Sequence, residues 1–144
     1  MNTPSQQTVS AAIDLRLLVT AGPSLPLRAD IDYSPDDPYA VRVAFHTGAD
    51  EVVQWTFARS LLTEGVTHPV GDGDVQVWPS NTGGVASVCL SLSSPSGRAL
   101  FEAPRADVAA FLARTYTCVP TGKESEYVDL DAELSLLLWT EPED

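Results

Sequence analysis

Positive charge is scarce in this 144-residue chain: eight lysines and arginines face 20 aspartates and glutamates, a formal net charge of −12. Lys123 is the only lysine, so a phosphate-loop lysine is absent. A negative field of this size repels phosphate backbones, which disfavours nucleic-acid binding. Cysteine is scarce too. Cys89 and Cys118 form no C-x-x-C pair, so neither a disulfide scaffold nor a thiolate metal site is expected. The expectation is two small, buried or half-buried thiols in a reducing cytoplasm. No apolar run approaches the ~18 residues of a membrane span, and Leu136-Leu137-Leu138-Trp139 is far too short. Met1 to Gln7 has neither the basic nor the apolar region of a signal peptide. A soluble, cytoplasmic protein is expected.

Catalytic signatures are likewise missing. There is no G-x-S-x-G elbow, and Gly71-x-Gly73 lacks the third glycine of a dinucleotide fingerprint. His46 and His68 are isolated from residues at metal-ligand spacing, and read as structural or solvent-facing histidines. Asp129-x-Asp131-x-Glu133 lacks the glycine and distant glutamate of a calcium loop, so it reads as acidic residues at a helix N-terminus. Asp72 and Asp74 read as turn chemistry. No catalytic, cofactor or metal residue is assigned.

What is present is 44% hydrophobic residues in clear periodicities, enough to specify a folded core. Val9, Ala11, Ile13, Leu15, Leu17 and Val19 alternate with polar residues, which specifies a strand with one buried face. Leu25 to Tyr33 alternates again, and Gly22-Pro23-Ser24 between the two predicts a hairpin. Strands carrying Tyr39 to Phe45 and Val53 to Phe57 follow, then a short helix from Ala58 to Glu64 with Gly65 as its left-handed cap. Asp74 to Trp78 reads as a fifth strand stopped by Pro79. Asn81-Thr82-Gly83-Gly84 reads as a turn, Ser87 to Ser93 as a sixth strand and Arg98 to Ala103 as a seventh. Pro104 suits the first turn of a helix whose inward face is Val108, Phe111, Leu112 and Thr115. A last helix is expected with Leu130, Leu134, Leu137 and Leu138 on one face, in a segment from Glu124 that holds eight acidic and no basic residues. Trp55 and Trp78 are expected to be mainly buried scaffold, and Trp139 either caps the last helix against the sheet or anchors a partner. The order of elements predicts an α+β domain on antiparallel sheet.

The ordered residues resemble one family. They are Asp37-Pro38-Tyr39-Ala40-Val41, Phe45-His46-Thr47-Gly48 and Trp55-x-Phe57-Ala58-Arg59-x-Leu61-Leu62-x-x-Gly65, then Pro69-x-Gly71-x-Gly73-Asp74-Val75-x-Val77-Trp78-Pro79. Leu92-Ser93-Ser94-Pro95-x-Gly97, Ala99-Leu100-Phe101, Phe111-Leu112-x-Arg114-Thr115 and Val119-Pro120-x-Gly122 continue the set. Together they are similar to the SsgA-like proteins, the sporulation-specific cell-division family of mycelial actinobacteria, from about Leu15 to about Leu138. Val77-Trp78-Pro79-Ser80 and Phe45-His46-Thr47-Gly48-Ala49 match best the branch that marks future septum sites.

The resemblance implies a whirly-like fold, with about seven antiparallel strands in a barrel-like body flanked by two to three helices. It implies a non-enzymatic factor that recruits the tubulin-like FtsZ to sporulation septa, promotes its polymerisation and is positioned with help from an SsgA-type protein. No cofactor is implied. The expected division is a frayed segment 1–8, one family domain over 9–139 and an acidic tail 140–144. The strand edges predict a closed homo-oligomer, a trimer by analogy with the family fold. The alternative is a whirly-like single-stranded nucleic-acid binder, which the scattered basic residues disfavour.

Overall fold

The computed structural model describes residues 8–19 and 22–127. Period-two patterning becomes four consecutive strands: β1 (Val9–Leu18), β2 (Leu25–Tyr33), β3 (Ala40–His46) and β4 (Val52–Ala58). A short helix, α1 (Arg59–Gly65), leads to a second run, β5 (Val75–Thr82), β6 (Val85–Ser94) and β7 (Gly97–Pro104). Helix α2 (Arg105–Cys118) and a 3-10 turn (Glu124–Tyr127) follow. The strands form one antiparallel sheet in the order β4-β3-β2-β1-β7-β6-β5. Two meanders are therefore joined by the pairing of β1 with β7, in which Leu17 faces Phe101. The α+β class and the seven antiparallel strands are as expected, in a half-barrel with two helices.

The curl of the sheet follows from one contact. β3 and β7 are separated by two strands, so a flat sheet would hold them about 14 Å apart. The rings of Phe45 and Phe101 nevertheless stack with centroids 4.4 Å apart. The concave face is closed by Leu62 of α1 and Val108 of α2, which meet Ile13, Ile31, Val77 and Val88 around an apolar cavity of about 50 Å³. Val108, Phe111, Leu112 and Thr115 are the buried residues of α2, as the helical spacing predicts.

Four expectations change. Pro79 does not stop the fifth strand, which runs on to Thr82. Strand β5 is the last in the sheet, and at an edge a proline without an N–H breaks no ladder. The turn after it narrows to Gly83 and Gly84, with φ of +60° and +82°, the mirror-image hairpin geometry that glycine supplies. Gly65 is not a left-handed cap. It is the last residue of α1, and a Cβ there would lie 2.3 Å from Val77 Cγ1, so its role is close approach of helix to strand. Trp55 and Trp78 are half-buried rather than buried. Trp55 packs at the margin of the core, whereas the buried Val77 takes the inward position on β5 and leaves Trp78 on the opposite face. The expected last helix, Trp139 and the 140–144 tail lie outside the described residues, as do residues 1–7 of the expected frayed segment.

Candidate functional site

The deepest charged cluster is built around Arg59. The chain turns at Ser34–Pro38, where the Asp37 N–H donates to Ser34 O at 2.9 Å and the Tyr33 hydroxyl donates to Pro38 O at 2.9 Å. The Arg59 N–H then donates to Tyr39 O at 2.8 Å, fixing the start of α1 against that turn. This directs the Arg59 side chain, 1% exposed, beneath the C-terminal end of α2. Its Nη1 donates to Thr115 O at 3.1 Å and Val119 O at 2.9 Å, and its Nη2 to Glu124 Oε2 at 2.8 Å. The guanidinium lies 4.9 Å from the Tyr33 ring centroid and 3.9 Å from that of Tyr116. Glu124 also accepts from the Gly122 N–H at 3.0 Å. Hydrogen bonds from its own backbone and from Arg59 hold the Glu124 carboxyl below its ordinary range. Burial pushes the Tyr33 phenol up to about 12.

This cluster satisfies the last carbonyls of a helix with a cation, where the helix dipole favours one. Both of its Nη groups are directed at fixed partners, as in a scaffold. It also explains much of the family pattern. Pro38, Tyr39, Arg59, Thr115, Val119 and Gly122 are hydrogen-bonded parts of one junction. Arg59 belongs to that pattern, but the sequence alone assigns it no role. The available signal was a basic residue between Phe57-Ala58 and Leu61-Leu62 in a chain poor in basic residues.

The outer face of the sheet has two different halves. Over β2 and β3 it is charged and wet. His46 Nε2 lies 2.6 Å from Asp30 Oδ2, and Arg28 approaches the same carboxylate at 3.3 Å. The His46 hydrogen bond, seconded by Arg28, holds the Asp30 carboxyl below its usual range. Arg42 lies 3.7 Å from both Asp32 and Asp37. Over β6 and β7 the outer face is small and buried: Ser87, Cys89, Ser91 and Glu102 are each no more than 5% exposed. Arg16 pairs with Glu102 across β1 and β7. Burial, with the Glu102 charge second, pushes the Cys89 thiol up, which lowers its thiolate fraction and reactivity. Cys89 is buried and Cys118 half-buried, both free, as expected. His68 is exposed beside Glu64, in keeping with a solvent-facing histidine.

No three histidine, cysteine or acidic side chains come together as a metal cluster among the described residues. No helix among them is long and apolar enough to cross a membrane. Among several surface concavities, a cleft of about 280 Å³ lies at the mouth of the half-barrel, between β4 and the β6–β7 hairpin. Its floor is Phe45, Val53, Trp55 and Phe101, and its rim carries Ser94, Ser96 and Arg98.

The profile described as "Streptomyces sporulation and cell division protein, SsgA" matches residues 27–124. The chain belongs to the SsgA family. The sporulation-specific cell division protein SsgB of Frankia casuarinae is 60% identical over 136 residues, 94% of this chain and 95% of that protein. SsgB of Streptomyces coelicolor is 53% identical over 131 residues, 91% of this chain and 96% of that protein. The crystal structure of an SsgA-like sporulation-specific cell division protein from Thermobifida fusca superimposes with a TM-score of 0.85 at 47% identity, covering 94% of this chain and 99% of that one. A second structure, reported with SsgB mutations that correlate to longitudinal cell division during sporulation of Streptomyces coelicolor, gives 0.83 at 49% identity, covering 88% and 99%. The family and SsgB likeness expected from Val77-Trp78-Pro79-Ser80 is therefore borne out. A role in cell division follows from the relatives.

Proposed function

We propose that the protein is a non-enzymatic assembly factor that recruits FtsZ to sporulation septum sites and promotes its polymerisation. The observation that carries this reading is the 60% identity over 94% of the chain to a sporulation-specific cell division protein SsgB. In this reading the protein is cytoplasmic, gathers at the septum and is positioned with an SsgA-type partner. One domain spans residues 9–139, between a polar segment 1–8 and an acidic tail 140–144. It acts as a homotrimer, which repeats each binding patch and adds avidity for a repeating filament.

Co-sedimentation tests the proposal. The protein is expected to enrich in the FtsZ polymer pellet and to increase the amount of polymer. No enrichment and no change in polymer would refute it. Light scattering at micromolar concentration is expected to report a trimer, and a stable monomer would remove that element.

The charge arrangement weighs against a nucleic-acid binder. Arg16, Arg28, Arg42, Arg59 and Lys123 are each engaged by a carboxylate: Glu102, Asp30, Asp32 with Asp37, Glu124 and Glu126. Cations so neutralised form no groove for a phosphate chain. Anisotropy with single-stranded DNA at low salt is expected to show no tight, salt-steep binding.

A further inference from the structure

The two ends of the sheet are protected unequally. The outer edge of β5 is blunted by Pro79, and the loop residue Val70 exchanges hydrogen bonds with Val77 at 2.8 and 3.0 Å. Among the described residues the outer edge of β4 has no such cover. Among the described residues β4 pairs along its length with β3 and with no other strand. Its sequence, Val52-Val53-Gln54-Trp55-Thr56-Phe57-Ala58, contains no charge, proline or glycine, the usual devices that keep an edge from pairing. Val52 is 49% exposed and Val53 44% exposed.

The cleft at the barrel mouth adjoins this edge, because Val53 and Trp55 line both. Its floor is apolar and no carboxylate lines it. Arg98 on the rim is exposed and has no ion pair among the described residues, in a chain of net charge −12. An open edge selects extended backbone, an apolar cleft beside it takes alternate side chains, and a free cation selects an acid.

We infer that the β4 edge is a strand-addition site for an extended segment of another protein, apolar at alternate positions and bearing a carboxylate that meets Arg98. Backbone hydrogen bonds to β4 supply affinity, and the cleft between Val53, Trp55 and the β6–β7 hairpin supplies specificity. A second copy of this chain is the weaker occupant. Continuing the sheet head to tail would pair β4 with the blunted β5 edge, which Pro79 and Val70 protect.

A displayed library of random peptides about a dozen residues long, enough to span a seven-residue strand, tests this on the full chain without reference to FtsZ. Enriched peptides are expected to alternate Val, Ile, Tyr or Phe with other residues and to carry Asp or Glu. Their affinity is expected to fall about tenfold or more with Val53→Lys and with Arg98→Glu, and little with Val52→Lys on the opposite face of the same strand. All three positions are exposed, so melting temperature is expected to hold, and it is measured alongside. No enrichment, peptides indifferent to both variants, or enrichment of basic sequences would overturn the inference. So would an oligomer that Val53→Lys dissociates, since β4 would then serve self-association.

Discussion

Arg42 and Arg59 are both paired with carboxylates and lie 17 residues apart in sequence, but they do different work. Arg42 is half-exposed, and both of its acidic neighbours are 3.7 Å away in water. Arg59 is stripped of water, with two backbone carbonyls, one carboxylate and two aromatic rings around it. Exposed pairs contribute about 0–1 kcal/mol because solvent screens them and ordering two long side chains costs entropy. A buried charge draws its effect from the penalty of losing its partners. Location, more than the count of ion pairs, decides which charge the fold depends on.

The largest effect expected from breaking that contrast is at the hub. Arg59→Met is expected to cost about 3–5 kcal/mol in urea unfolding, because Val119 O loses its donor, Thr115 O and Glu124 each lose one, and the Glu124 charge is left without its cation. Arg59→Lys is expected to recover little of this, since an ammonium cannot span the same fork of acceptors. A loss below 1 kcal/mol for Arg59→Met would remove the distinction between the two arginines. Next comes Gly65→Ala, expected to cost about 1–3 kcal/mol by forcing α1 away from Val77. Thermal unfolding that leaves Gly65→Ala equal to the parent would return this glycine to an ordinary helix end.

Tyr33→Phe sharpens the comparison from the hub side. Removing the hydroxyl strands Pro38 O and is expected to cost about 1–3 kcal/mol. It also changes the pH profile. The folded-state phenol is raised to about 12, so the parent is expected to lose stability as pH rises from about 10 through about 12. Denaturant midpoints for Tyr33→Phe are expected to lose that alkaline decline.

The smallest effects belong to the wet face. Arg42→Ala is expected to change stability by about 0–1 kcal/mol. The Asp30 carboxyl is held down, so its contribution is present above its ordinary value of 3.8 and is lost as pH falls through the folded value. Asp30→Asn is expected to flatten only that acid limb. A shift at neutral pH as large as that of Arg59→Met would contradict the ranking.

The sequence made the local parts of this fold legible and left the non-local parts hidden. Period-two runs marked β1 to β4 because each buries one face, and the 3.6 spacing of Val108, Phe111, Leu112 and Thr115 marked α2. Pro79 was misleading because its effect depends on whether the strand is central or at an edge, which is a property of topology. Gly65 was misleading because the atom that requires it, Val77 Cγ1, belongs to a later strand. The pairing of β1 with β7 joins residues some 80 positions apart, as Arg16 and Glu102 do, and no local pattern encodes it. Arg59 was hidden for the same reason, since its acceptors lie 56 to 65 residues downstream. The opposite outer-face character of β2–β3 and β6–β7 was visible only as polar residues in both.

The central claim is that the family's residues around Arg59 hold the fold while partner contacts lie elsewhere on the surface. It is tested most directly by pairing melting temperature with FtsZ co-sedimentation for the parent chain and Arg59→Lys. The account predicts enrichment of the parent in the polymer pellet, a lower melting temperature for Arg59→Lys, and FtsZ binding that falls only in proportion to its folded fraction. A variant that keeps the parent melting temperature yet loses FtsZ, or a parent that never enters the pellet, would contradict it.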